Sequence, residues 1–327
     1  EEIARIYGYD NIPVEPLRGA GSASAIVESE TPQTLLKQRL IARGFNEAIT
    51  FSFVSPEQQR LIDPEIEPIA LQNPISSDVA VMRTALIPGL LSAAAHNVNR
   101  QQTRVRLFET GLRFLPNESL QQTPMLALLI CGSRMPEGWS AKTEPVDFYD
   151  LKGELEALLG AAEQPLTFRA MVRPGLHDGQ TAEVRLGEQA VGVMGRLHPN
   201  AAKQLDLPDQ TFVAELDLTA IASRAIPDYQ EISRFPEVRR DLALIVKSET
   251  SAADVLDCAR AAAGSSLADA LIFDVYEGEG VTESEKSLAI GLTFREQSRT
   301  LTDEEINLSL SQVVESLGEK LGAKLRH

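Results

Sequence analysis

Cysteine is nearly absent from the chain. Two occur in 327 residues, Cys131 at the end of an apolar run and Cys258 in an alanine-rich helical pattern. They read as buried free thiols in a reducing, cytoplasmic compartment. Histidine is as sparse: His96, His177, His198 and His327 lie far apart, and none pairs with a cysteine at metal-ligand spacing. No apolar run approaches the roughly 18 residues of a membrane-spanning helix, and no secretory signal opens the chain. Gly-x-Ser-x-Gly is missing, and so is a glycine-rich loop ending in Lys-Ser/Thr, which removes two common signatures of hydrolases and nucleotide-binding enzymes. Positive charge is in deficit, 31 Lys+Arg against 47 Asp+Glu for a net charge of −16. That excludes a general nucleic-acid coat and leaves RNA binding to a local patch. There is no repeat, no low-complexity tract and no initiator Met, so the chain reads as a piece of something longer.

What is present suggests two or three domains. Residues 1–17 carry a short helix, with Ile3 and Ile6 on one face and Gly8 as its stop, and then a turn. Residues 18–30 are small and polar, a linker. Thr31 and Pro32 open a helix with Thr as N-cap and Pro at the first position; Leu35, Leu36 and Leu40 form its apolar face and Gly44 ends it. Ile49, Phe51 and Phe53 alternate with Thr50 and Ser52, the pattern of a half-buried strand. Further strands are expected at residues 105–109, 125–131, 190–196 and 211–216, and helices at 87–100 and 150–161. Strands outnumber helices and several pairs are close in sequence, so the class is α+β with a mostly antiparallel sheet.

A second boundary falls at 227–235. Beyond it the order is strand 241–247, helix 251–263, strand 270–276, strand 286–295, a helix from Thr302 and a short strand 323–326. Ser251 with Asp254 and Thr302 with Glu305 are spaced as capping boxes. Ile306, Leu310, Val313, Val314, Leu317 and Leu321 trace one helical face. This is βαββαβ, a ferredoxin-like domain over 227–327. Alternation directs Leu288, Ile290, Leu292 and Phe294 towards the helices, and Thr293 and Arg295 to the opposite face. On the preceding strand it directs Leu271, Phe273 and Val275 inward, and Ile272, Asp274 and Tyr276 outward. An open sheet face carrying Tyr and Arg suits the stacking of single-stranded bases.

Several stretches resemble one family. Residues 1–13 (Glu-Glu-Ile-Ala-Arg-Ile-Tyr-Gly-Tyr-Asp-Asn-Ile-Pro), Gln72-Asn73-Pro74-Ile75-Ser76-Ser77-Asp78, Met82-Arg83-Thr84-Ala85-Leu86, Leu107-Phe108-Glu109-Thr110-Gly111 and Phe148-Tyr149-Asp150-Leu151-Lys152-Gly153 are similar to the β subunit of bacterial phenylalanyl-tRNA synthetase. So are Arg234-Phe235-Pro236, Arg239-Arg240-Asp241-Leu242, Phe273-Asp274-Val275-Tyr276 and residues 299–305. The similarity runs in order over essentially the whole chain, and marks its carboxy-terminal portion. It implies that residues 1–17 are the tail of a preceding small domain, followed by a class II synthetase-like antiparallel module over 31–226 and then an anticodon-binding domain. It also implies an α2β2 heterotetramer in which the α subunit performs ATP- and Mg2+-dependent aminoacylation of tRNA-Phe, with no DNA or membrane partner.

Within that resemblance, Gly44-Phe45-Asn46-Glu47 is similar to the first class II motif and Arg106-Leu107-Phe108-Glu109 to a degraded second one. A working second motif needs an arginine to clamp the ATP α-phosphate; Arg106 is one residue off that spacing. The nearest approach to a third motif, residues 191–196, runs into Leu197-His198-Pro199, which breaks the helix that should follow. The expectation is therefore a synthetase fold without catalytic residues, scaffolding the α subunit and binding tRNA, with neither ATP nor Mg2+ held by this fragment. Candidate tRNA contacts are Tyr276, Arg295, Arg239, Arg240 and Arg299, with Arg234 and Lys286 behind them. Glu1 and Glu2 match two glutamates of a family Mg2+ site whose aspartates would precede residue 1. The rival readings are a stand-alone class II ligase-like enzyme and a purely structural dimerisation module. The second draws on the acidity of residues 228–327, eleven Lys+Arg against nineteen Asp+Glu.

Overall fold

A computed structural model describes residues 1–14, 28–117, 120–140, 142–229, 231–278 and 280–326. Residues 18–27 of the expected linker lie outside the described residues. The chain divides into two compact units, Glu1–Pro227 and Asp228–His327.

The first unit holds, in chain order, α1 (Glu2–Tyr7), α2 (Gln33–Ala42), β1 (Asn46–Glu47), β2 (Phe53–Val54), α3 (Pro56–Ile62), β3 (Val81–Met82), α4 (Ile87–Val98), β4 (Arg104–Leu115), β5 (Gln121–Gly132), α5 (Phe148–Leu159), β6 (Leu166–Ala170), β7 (Leu176–Leu186), β8 (Gln189–Leu197), α6 (Pro199–Gln204) and β9 (Thr211–Asp217). Seven strands form one sheet in the order β1-β4-β5-β9-β8-β7-β6. Only the β1–β4 pairing is parallel. Leu36 and Leu40 of α2 pack with Leu151, Leu155 and Leu158 of α5 on one face of the sheet. Ile87, Leu90 and Leu91 of α4, with Ala201 and Ala202 of α6, cover the other. β5 runs through the middle and is buried on both sides from 125 to 131, so its sequence is a continuous apolar run rather than an alternation.

Three expectations for this unit need correction. The helix expected from Thr31 begins at Gln33, with Pro32 in the N-cap position. Thr31 is instead tied to the chain's return, its N–H donating to the Ala222 carbonyl at 2.6 Å. Residues 49–53 do not form one strand. Ile49 and Phe51 face solvent, 92 % and 77 % exposed. Thr50 turns inward: its hydroxyl donates to Glu109 Oε2 at 2.7 Å and sits so close to Gly89 that a Cβ there would lie 2.1 Å from it. The polar pull of a buried carboxylate thus reverses the side that alternation assigns. Finally, Pro199 starts a helix instead of preventing one: α6 begins at Pro199, and His198 Nδ1 accepts from the Asn200 N–H at 3.2 Å. Proline suits a first helical turn because it has no N–H to leave unpaired.

The second unit contains β10 (Val238–Lys247), α7 (Ala252–Ala263), β11 (Leu267–Tyr276), β12 (Glu285–Phe294), α8 (Asp303–Leu321) and β13 (Lys324–Leu325). The sheet order is β11-β12-β10-β13, antiparallel throughout. This is the expected ferredoxin-like βαββαβ. Both helices cover one face, with Val255, Ile306, Val313 and Leu317 packing on Leu244, Leu288, Ile290 and Leu292. Thr302 and Glu305 form a reciprocal capping box at the start of α8. At α7 only half of the expected box forms, the Asp254 N–H donating to Ser251 Oγ.

Candidate nucleic-acid interface

The helix-free face of the second sheet departs from simple alternation on β11. Leu271 opposes Gly291 and Ile272 opposes Ile290, but Asp274 opposes Ala289, so Phe273 is an extra residue in a bulge. Leu271 and Phe273, expected inward, are therefore on the open side, and Ile272, expected outward, packs in the core. Val275 opposes the core residue Leu288 yet is 56 % exposed. Asp274 and Tyr276 are on the open face, as alternation predicts.

Two guanidinium–aromatic pairs lie on this face. Arg326, just past β13, places its guanidinium 4.7 Å from the Tyr276 ring centroid. Its N–H donates to the Ala243 carbonyl, and Ala243 pairs with Ala289, while the neighbouring row that ends on Tyr276 carries Ser287 and Ile245. Arg239 of β10 lies 5.2 Å from the Phe273 centroid and donates from Nε to Asp241 Oδ1 at 2.8 Å. Its guanidinium rests on Gly291, where any Cβ would lie only 2.7 Å from it. Arg326 and Phe273 were not among the candidates from sequence. The signal for Arg326 was its position next to inward-facing Leu325; the bulge that turns Phe273 has no such signal.

The other candidate cations are dispersed. Arg295 reaches towards Glu237 at 3.8 Å and lies eight residues along β12 from Ser287, the partner of Tyr276, about 26 Å at strand rise. Arg240 pairs with Asp303 at the start of α8 (2.9 Å), on the helix side of the sheet. Arg299 makes a bidentate pair with Glu305 (2.8 and 2.7 Å) and is part of the α8 cap rather than the sheet. Arg234 and Lys286 are peripheral, the latter donating to the Ser248 carbonyl.

The first unit gathers buried charges in separate clusters. Arg83 donates to Glu109 at 2.7 Å and to the Leu112 carbonyl at 2.9 Å. Arg106 pairs with Glu154 of α5 at 2.5 Å beneath the Phe45 ring, and Arg43 shares the same carboxylate. Asp63 joins Arg173 and Thr84 (2.8 and 2.7 Å). Glu215 is fully enclosed; burial pushes its carboxyl up to about 6, although the Leu86 N–H donates to it at 2.6 Å. Burial likewise pushes the Cys131 thiol up to about 11, so it is unreactive.

Residues 12–218 match the family model described as phenylalanyl tRNA synthetase beta chain CLM domain, and residues 233–326 match the ferredoxin-fold anticodon binding domain. The chain belongs to the phenylalanyl-tRNA synthetase β-chain family. It is 48 % identical over 331 residues to the phenylalanine–tRNA ligase beta subunit of Pseudomonas fluorescens, covering all of this chain and 42 % of that protein. The corresponding subunits of Hahella chejuensis and Vibrio parahaemolyticus are 48 % and 45 % identical, with 41 % and 42 % of their lengths covered. The chain thus spans about two-fifths of the relatives it matches.

In a phenylalanyl-tRNA synthetase β chain, the groups implied by the family are ATP and Mg2+, and the residues here do not fit them. Arg106, the second-motif candidate, is enclosed under α5 and neutralised by Glu154, and Glu109 is engaged by Arg83 on the opposite face of the sheet. The two do not meet. Residues 199–204, after the third-motif candidate, contain no arginine. Glu2 is held by Arg5 through Nη2 at 2.6 Å, and Glu1 precedes it at the start of α1. Among the described residues no three His, Cys, Asp or Glu gather as a metal site, and no helix is long and apolar enough to cross a membrane.

Proposed function

We propose that this chain is the non-catalytic, scaffolding and tRNA-recognition part of a phenylalanine–tRNA ligase β subunit. Its first unit docks the catalytic α subunit of an α2β2 heterotetramer in the cytoplasm. Its second unit takes the unpaired anticodon of tRNA-Phe, and the ATP- and Mg2+-dependent chemistry belongs to the partner. The observation that carries this reading is the open sheet face, with Tyr276 beside Arg326, in a domain matched as anticodon-binding. A base laid on such a face gains stacking and a nearby cation together. Arg239 and Arg295 lie on the same side and serve as further contacts. Arg240 and Arg299 are committed to anchoring α8 and contribute, at most, phosphate contacts from the rim. The buried pairs at Arg106 and Glu109 support the non-catalytic half of the reading, because neither group is available to a nucleotide.

Exposed Ile49, Phe51 and Ile75 support the docking role, since obligate interfaces are more apolar than the rest of a surface. The test is binding of tRNA-Phe to the chain with and without its α subunit, together with ATP-dependent adenylate formation. Association with α, binding of tRNA that Tyr276→Ala weakens, and no adenylate from the chain alone are expected. Adenylate formation by the chain alone would overturn the reading in favour of a stand-alone ligase. Normal α association without any tRNA binding would leave only a structural module.

A further inference from the structure

Phe273 is half exposed on the open side of a sheet and belongs to no apolar cluster. Three features set it there. The bulge rotates it out of the core. Arg239 lies against its ring, with the guanidinium's orientation fixed by Asp241. Gly291, on the strand between them, leaves the space in which that guanidinium lies on the sheet. A solubilising arginine needs none of these; it would extend into water. Here two flat groups, an aromatic ring and a guanidinium, are held side by side with about half of each exposed (50 % and 47 %).

We infer that Phe273 and Arg239 form a second stacking subsite, separate from Tyr276 and Arg326, that takes the planar face of another unpaired nucleobase of the same RNA strand. This rests on the reading of the open face as an RNA platform and adds a place to it. Phe273 and Tyr276 are three residues apart on β11, so the two subsites are about 10 Å apart along the strand. The occupant is a nucleobase rather than a phosphate, because Asp241 neutralises the arginine and its carboxylate would repel an anion. A guanidinium in an ion pair still presents a flat face to a π-system.

The experiment uses the 327-residue chain and a stem-loop RNA of the tRNA-Phe anticodon arm, carrying 2-aminopurine at one loop position at a time. Wild-type protein is expected to change the fluorescence at two distinct loop positions. Phe273→Ala should abolish the change at one of them and weaken binding about tenfold, while the change governed by Tyr276 persists. Gly291→Ala should do the same without touching Phe273, because its new methyl group lifts the guanidinium off the sheet. Arg239→Lys, which keeps the charge and loses the plane, should match them, with thermal melts as the control for folding. If Phe273→Ala and Gly291→Ala bind like wild type while Tyr276→Ala weakens binding, the second subsite is wrong and the open-face reading stands. If the wild-type chain does not bind the stem-loop, or Tyr276→Ala and Phe273→Ala are both silent, the reading of the face fails and takes this inference with it.

Discussion

Glu215 is a carboxyl group enclosed on all sides by the first unit. Its folded pKa is raised from 4.5 to about 6, by burial first. Between those values the folded chain holds a proton that the unfolded chain releases, so rising pH favours unfolding, and the loss is complete above about 6. The cost is about 2 kcal/mol. Glu215→Gln keeps an oxygen acceptor for the Leu86 N–H and removes the titration. The variant should therefore gain stability over wild type as pH rises from 4.5 to 7 in denaturant melts; a difference independent of pH would refute this. Glu305 behaves oppositely. Its hydrogen bonds from Arg299 and then Thr302 hold it down at about 2, so its contribution is present above the ordinary carboxylate range and is lost as pH falls towards 2. Arg299→Ala should raise the pH at which the second unit unfolds in acid, followed by circular dichroism. Of the two aromatic residues on the open face, Tyr276 had its side of the sheet legible from strand parity. Phe273 did not, because a bulge is a property of paired strands rather than of one strand's sequence.

Among elements, those marked by caps and periodicity were the readable ones. α8 announces its start through Thr302 and Glu305 and its buried face through apolar spacing. Thr302→Ala should cost about 1 kcal/mol in a melt of the second unit, since it frees an N–H that the cap satisfies. The strands β6 and β7 left no comparable mark. β7 carries Asp178 and Gly179 inside a register irregularity between Leu176 and Thr181, which interrupts the alternation a reader relies on. Residues 49–53 show the reverse case: the alternation is clean, but its apolar members face outward because Thr50 is drawn to a buried carboxylate. If those apolar side chains meet the α subunit, Ile49→Asp and Phe51→Asp together should weaken α association at least tenfold while leaving the melting temperature of the isolated chain almost unchanged. Equal association by the variant, measured by size exclusion or sedimentation, would place the interface elsewhere.

At the scale of the whole molecule, the proposed RNA contact has to contend with net negative charge. The second unit is acidic, and the proposed RNA contacts on its open face rest on three arginines, Arg239, Arg295 and Arg326. Released counterions contribute about 0.7 to the log–log salt slope per phosphate on a single strand. The slope for stem-loop binding should therefore be about 2 or less in magnitude, and a much steeper one would point to a basic surface away from the sheet. In the ferredoxin-like half the order of elements was legible, because its helices start at capping residues and its strands alternate, while the side-chain directions on β11 were not, because of its bulge. The first unit was harder to read, since its sheet is completed by strands far apart in the chain. Its α4 illustrates the point. The helix has no capping side chain of its own, and the amide of Leu86 is satisfied by Glu215, 129 residues later. During synthesis that amide has to remain with water until β9 has emerged and joined the sheet. The closing of this helix thus waits on a strand made much later, and a chain interrupted before β9 would leave α4 without that bond.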